Sequence, residues 1–222
     1  MWSTIVRHPI DPEYPMPMHF NEHDILSLDR IARLNLINAI TGVKPANLIG
    51  TISADGVHNL AIFSSVVHLG SSPALLGMFV RPHAGHRRDT YENIIATRHY
   101  TINHVPAHLS EEAHRTSARF DSEVSEFDAC GFTPMMMEGF PAPFVTESPV
   151  RIGLELAEEL PIAVNGTTLL IGKVVHVHVE DGLLNADYQL DLQAARTVGI
   201  SGLDGYYGLQ QIGRYPYAKV QI

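Results

Sequence analysis

The sequence is short of cysteine, of charge and of long apolar runs. Among 222 residues there is a single cysteine, Cys130, which excludes an intramolecular disulfide framework and a cysteine-based metal cage within one chain. Charged residues make up 18% and apolar residues 45%. Average soluble proteins carry roughly 25% charged residues, and a disordered chain needs the opposite balance, low hydrophobicity with high charge. Basic residues are the scarcer sign, 15 Lys and Arg against 24 Asp and Glu, for a net charge of −9. That argues against a nucleic-acid partner, because neutralising phosphates takes a surplus of Lys and Arg. No stretch approaches the roughly 18 uninterrupted apolar residues that a membrane span needs. The opening MWSTIVRHPIDPEYPMPMHF, with its four prolines, lacks the apolar core of a signal peptide. The expectation is a soluble cytoplasmic protein with a small-molecule substrate and no nucleic-acid or membrane partner. The low charge has a corollary: it leaves apolar surface in need of a partner.

Several chemical signatures are missing as well. There is no GxGxxG after a strand, no GxxxxGK[ST], no HExxH and no GxSxG. Gly202, Gly205 and Gly208 in GLDGYYG have the wrong spacing for a dinucleotide fingerprint and read as a tight loop. The 13 histidines include His83 and His86 in an HxxH loop and His176 and His178 alternating on one side of a strand. A catalytic zinc site takes three protein ligands on a rigid frame, and no third ligand is identifiable, so no metal is expected. Cys130 sits at the end of a helical pattern in FDACGF. A reactive thiol sits instead at a helix start or beside a cation, so Cys130 reads as a packed side chain.

What is present is mostly strand. Residues 1–22 read as an extended arm, and 23–222 as a single domain. Ile25, Leu28, Ile31, Leu34 and Ile37 predict one amphipathic helix over 24–40, stopped by Gly42. NLIGTIS and VHNLAIFSS flank Asp55-Gly56 as a hairpin, and 66–69 either continues that strand or begins the next. ALLGMFV (74–80) reads as a buried strand. A short helix is expected over 89–97, with Asp89 as N-cap and Glu92 as its capping-box partner, followed by a strand at 100–105. A helical insertion is expected around 108–131. Segments 150–156 and 160–164 read as strands, and Asn165-Gly166 is the strongest hairpin turn in the chain. Many strands with turns between them and few helices predict an all-β barrel with helical additions.

The stretch 47–105 carries the most chemistry. Ser64 and Ser65 end a strand with Asn59 upstream, and Arg81, Arg87 and Arg88 precede a helix start bearing Thr90. Helix N-termini favour anions through unpaired amides and the dipole, and arginine adds charge-assisted hydrogen bonds. On physics alone this is a candidate phosphate site, with a plain capped surface helix as the competing reading and Asp89 as a competing carboxylate.

Taken together, NLIGTISADGVHNLAIFSSVVHLGSSPALLGMFVRP, RRDTYENI, YTINHV, EFDACGFTP, VTESPVRIGLEL and IGKVVHVHVEDGLL resemble the flavin reductase-like, FMN-binding split-barrel family. The resemblance spans 24–184 and rests on spaced elements in order: the DG hairpin, N-x-A-x-F-S-S, S-x-P, R-D-T-x-x-N-I and E-S-P-V. It implies a mainly β fold, a six-stranded antiparallel split barrel of Greek-key type with short flanking helices. It further implies a homodimer with FMN at the subunit interface. Carried over by motif, Asn59, Ala61, Phe63, Ser64 and Ser65 line the ring and ribityl region, with Thr51 on the neighbouring strand. Arg88 and Thr90 match the phosphate element, and Arg81 reinforces it. The implied function is an FMN-dependent oxidoreductase that takes electrons from NAD(P)H; the alternative is a non-catalytic FMN-binding electron carrier or flavin-storage protein. FMN supplies the redox chemistry, and no catalytic residue is assigned. His83, His86 and Tyr91 are candidate contacts to the reductant. Lys44-Pro45 and Ser53-Ala54 depart from the family's pattern.

Overall fold

The computed structural model describes residues 18–82, 85 and 87–219. Most of the expected N-terminal arm, residues 1–17, therefore lies outside the described residues, as do His83 and His86. Chain order begins with α1 (Glu22–Ser27), α2 (Arg30–Ala39), β1 (Lys44–Pro45), β2 (Asn47–Ile52), β3 (His58–Phe63), β4 (Val66–Ser71) and β5 (Ala74–Val80). It continues through α3 (Asp89–Thr97), β6 (His99–His104), a 3-10 turn (Ala107–Leu109), α4 (Ser110–Arg115) and α5 (Glu126–Cys130). Last come β7 (Pro134–Met137), β8 (Phe140–Val145), β9 (Val150–Ile162), β10 (Thr167–Val179), β11 (Val198–Ser201) and β12 (Gly205–Gly208).

The main sheet is antiparallel in the order β3-β2-β6-β9-β10-β5-β4, with two small sheets, β1-β11-β12 and β7-β8. It has seven strands. β4 begins a new strand and does not continue β3: the chain turns at Ser64-Ser65. There the Ser65 hydroxyl donates to the Phe79 carbonyl at 2.8 Å, and the Phe79 amide returns a bond to the Ser65 carbonyl. The two segments expected at 150–156 and 160–164 are one strand. Pro161 is tolerated there because β9 runs beyond its last β6 partner at Glu155 and keeps only β10 as a neighbour.

Two helical expectations need correction. The helix expected over 24–40 is broken at Leu28, whose backbone is extended, because Asp29 starts a second helix. Its carboxylate accepts from the Ile31 and Ala32 amides at 2.8 and 3.0 Å, a stronger local demand than the apolar spacing. The insertion at 108–131 is helical only at its two ends. Thr116 bonds back to the Ala113 carbonyl through both its amide and its hydroxyl, and the Ser117 and Ala118 amides follow with turn bonds. These bonds close α4 and leave 116–125 as a loop. Gly131 ends α5 in the left-handed region, as a C-terminal glycine should.

One core cluster joins β2, β5, β6, β9, β10 and α3 through Ile49, Met78, Ile94, Tyr100, Leu154 and Leu170. A second packs Leu48, Leu60, Val105, Phe127, Phe132 and Ile200 between the sheet and the α4–α5 region. Two glycines make close approach possible. At Gly50 a Cβ would collide with the Pro143 carbonyl, and at Gly172 with the Tyr100 hydroxyl. Among the described residues, no helix is long and apolar enough to cross a membrane.

Candidate functional site

A cleft of about 800 Å³ opens along β3, the start of α3, the 116–121 loop and the β11–β12 hairpin. That volume lies in the range typical of small-molecule sites. Of the residues singled out from sequence, Asn59, Ala61, Phe63, Ser64, Ser65, Arg81, Arg88 and Thr90 all line it. They come from β3, the turn after it, the end of β5 and the beginning of α3, so antiparallel pairing and one connection bring together positions up to 31 residues apart. Ile62, Phe120, Ile200 and Tyr206 complete an apolar wall.

Thr51 does not line the cleft. It is fully buried behind it and accepts hydrogen bonds at 3.1 Å from both the Asn59 and Asn93 side-chain amides. Asn59 Nδ2 also donates to Thr90 Oγ1 at 3.2 Å. This Thr51–Asn59–Thr90–Asn93 network ties β2, β3 and α3 into one buried polar unit, and fixes Thr90 against the strand that forms the cleft floor.

The start of α3 differs from expectation. Asp89 is the first helical residue rather than the cap, and no side chain caps the helix at Arg88. Glu92 still bonds backwards, accepting from the Arg88 amide at 3.3 Å. Asp89 is instead paired with Arg87 Nε at 2.8 Å, and Arg87 Nη2 donates to the Phe120 carbonyl at 2.8 Å. Arg87 thus neutralises the carboxylate that would repel an anion and anchors the 116–121 loop. Among the described residues the Arg88 guanidinium donates to the Pro82 carbonyl alone, at a long 3.4 Å, and Arg81 makes no ion pair. Both guanidinium groups remain available at the rim.

Tyr91 also lines the cleft. Its hydroxyl donates to Glu159 Oε1 at 2.6 Å, and this bond, with burial, pushes its pKa up to about 12. Sequence reasoning missed Glu126, which is 7% exposed and lies on the cleft wall. Its Oε2 accepts the Leu60 amide of β3 at 3.0 Å, and burial raises its pKa despite that bond. No local pattern announces a contact 66 residues away. His114 and Tyr206 were missed for the same reason. Their ring contact joins α4 to β12, with His114 Nδ1 3.1 Å from the Tyr206 hydroxyl.

The remaining histidines of interest sit elsewhere. His176 and His178 face the same side and pack edge-on against Phe140 and Phe144, with ring centroids 5.2 Å apart in each case. Cys130 is buried, and that burial pushes its thiol up.

An antiparallel split barrel whose cleft combines apolar side chains, serine hydroxyls, rim arginines and the start of α3 is suited to a flat ligand carrying an anionic group. The flavin reductase like domain matches residues 43–194, and the chain belongs to that family. A candidate flavin reductase with a split barrel domain from Shewanella frigidimarina is 47% identical, covering 91% of this chain and 100% of that one, with a TM-score of 0.87. Nitrilotriacetate monooxygenase component B from Bacillus cereus shares the fold at 20% identity, with 91% and 100% coverage and a TM-score of 0.80. An FMN-binding protein from Thermus thermophilus does so at 18% identity, with 79% and 91% coverage and a TM-score of 0.67.

Proposed function

We propose that this chain binds FMN in the β3–α3 cleft and acts as an oxidoreductase that takes electrons from NAD(P)H, as a homodimer. The observation that carries the reading is that the Ala61–Ser65 segment, the start of α3, Arg81, Arg88 and Thr90 line one cleft. FMN has a flat apolar ring, a hydroxylated chain and a phosphate, and the cleft lining offers apolar, hydroxyl and cationic groups to match. Asn59, Ala61, Phe63, Ser64 and Ser65 would line the ring and the hydroxylated chain. Arg88, Arg81 and the Thr90 hydroxyl would hold the phosphate, assisted by the α3 dipole.

When bound, FMN supplies the hydride and electron chemistry, and the protein supplies binding, orientation and electrostatics. The chain's own residues hold this geometry through the buried Thr51 network and through Glu126, which fixes β3 at Leu60. Membership of the flavin reductase like family and the FMN-binding Thermus relative support the cofactor.

Exposed apolar side chains support the dimer. Val67 and Leu69 of β4 and Phe79 of β5 are exposed. Val67 and Leu69 crowd with Leu169 over Gly77, while Phe79 also borders the cleft. A second copy placed there would cover the patch and complete the site.

The test is the visible absorption spectrum of the purified protein after FMN reconstitution, followed by anaerobic titration with NADH and NADPH. A flavin spectrum bleached by either nucleotide is expected. Bound flavin with no turnover by either nucleotide would identify a carrier, and failure to quench FMN fluorescence at micromolar protein would refute flavin binding.

A further inference from the structure

The GLDGYYG segment forms a cleft wall. β11 and β12 pair with Ile200 opposite Tyr206 and Gly199 opposite Tyr207. The hairpin is fixed at its base, where the Val198 amide donates to the Val105 carbonyl at 3.1 Å and Ala107 N donates to the Arg196 carbonyl at 2.8 Å. Strand alternation sends Tyr206 inward, packed against the core that holds Leu48 and Leu60, while Tyr207 is half exposed. Leu203, Asp204 and Tyr206 all reach the cleft, with His114 of α4 beside them.

The His114–Tyr206 contact leaves one donor over in either tautomer. If Tyr206 donates to Nδ1, the imidazole carries its proton on Nε2, which has no partner among the described residues and is not sealed from solvent. If Nδ1–H donates to Tyr206, the phenol hydrogen is free. Burial and the nearby Asp204 carboxylate push the Tyr206 pKa up to about 12, so the phenol stays protonated at neutral pH. Such a donor suits an oxygen on which negative charge gathers as a conjugated carbonyl or nitro compound accepts electrons.

We propose that His114 and Tyr206 form a hydrogen-bond-donor corner of the cleft that receives the carbonyl, nitro or phenolate oxygen of a planar organic electron acceptor. This rests on the flavin reading for the role of the ligand, but not for the chemistry of the corner.

The experiment uses 4-nitrophenol, whose phenolate band reports its own ionisation, with full-length wild type, Tyr206→Phe and His114→Gln, each with and without FMN. Wild type should bind the phenolate in preference to the phenol and lower the apparent pKa of the probe. A hydrogen bond to a charged group is worth enough that each variant should weaken phenolate binding about 10- to 100-fold while weakening the neutral phenol far less. NAD+ and NADP+ are titrated in parallel, and thermal melting checks that the variants are folded.

Loss of phenolate preference in both folded variants supports the corner. No binding by wild type, equal binding by all three proteins, or weakening confined to the nucleotides overturns it, leaving a tether between α4 and the hairpin. If neither variant folds, Tyr207→Phe and Asp204→Asn are compared in their place: a pKa shift moved by Asp204→Asn and untouched by Tyr207→Phe supports the corner, and no movement with either refutes it. Failure of FMN to bind refutes the flavin reading, while the flavin-free arm still decides the corner.

Discussion

Thr51→Val tests whether the buried network behind the cleft supports its shape. Valine matches threonine in volume but offers no acceptor, so the bonds from Asn59 and Asn93 at 3.1 Å are both lost. Both amides are almost fully buried, with Asn59 at 7% and Asn93 at 8% exposure, so water cannot easily replace the lost partner. An orphaned buried donor costs about 1–3 kcal/mol. Asn93 is the donor left without this partner, while Asn59 keeps its bond to Thr90 at 3.2 Å, so the expected loss is about 2 kcal/mol. For a domain of this size that lowers Tm by roughly 4–8 °C. Thr51→Ser keeps the acceptor and gives up one methyl group, at about 1 kcal/mol. Urea denaturation of the three proteins measures the difference, and FMN fluorescence quenching should show severalfold weaker binding in the valine variant alone. A valine variant within about 1 kcal/mol of wild type would show that the amides have other acceptors, and would remove the network from the account of the site.

Arg88→Ala should weaken FMN binding by about 10- to 100-fold, the worth of a charge-assisted bond, and leave riboflavin binding nearly unchanged; equal losses in parallel quenching titrations would rule the residue out as a phosphate ligand. His104 is held neutral by burial, with its pKa lowered to about 4. The unfolded chain takes up that proton near pH 6.5, so stability should fall as pH drops from about 6.5 towards 4. His104→Gln should flatten that part of a stability–pH curve from urea melts, and an unchanged slope would contradict it. Tyr100→Phe removes a fully buried hydroxyl that has no partner among the described residues, so thermal melting should show a neutral change or a gain of about 1 kcal/mol; a clear loss would reveal a partner for the hydroxyl.

Features carried by local chemistry were legible in the sequence. Asp55-Gly56 and Asn165-Gly166 demand turns, and the strands beside them fall into place. The RRDTYENI segment does begin a helix, with Thr90 at the cleft. Two local competitions were misjudged: the Asp29 cap outweighs the apolar spacing that runs across it, and the Arg87 ion pair takes Asp89 out of the capping role. The cleft walls were hidden for a different reason. Glu126 meets Leu60, and His114 meets Tyr206, only after the sheet has closed, and neither pairing leaves a short-range pattern. Thr51 could be placed on the right strand, but its inward direction depends on the register of β2 between β3 and β6.

The bond from Leu60 to Glu126 has a consequence beyond the cleft. β3 is an outer strand of the main sheet, and outer strands expose amides that can recruit strands from other molecules. Glu126 occupies one of those amides with a buried acceptor, and α5 packs across the same strand. Truncating Glu126 would therefore open an unprotected edge as well as loosen the floor of the site. In such a variant, aggregation and ligand loss would arise from the same broken bond.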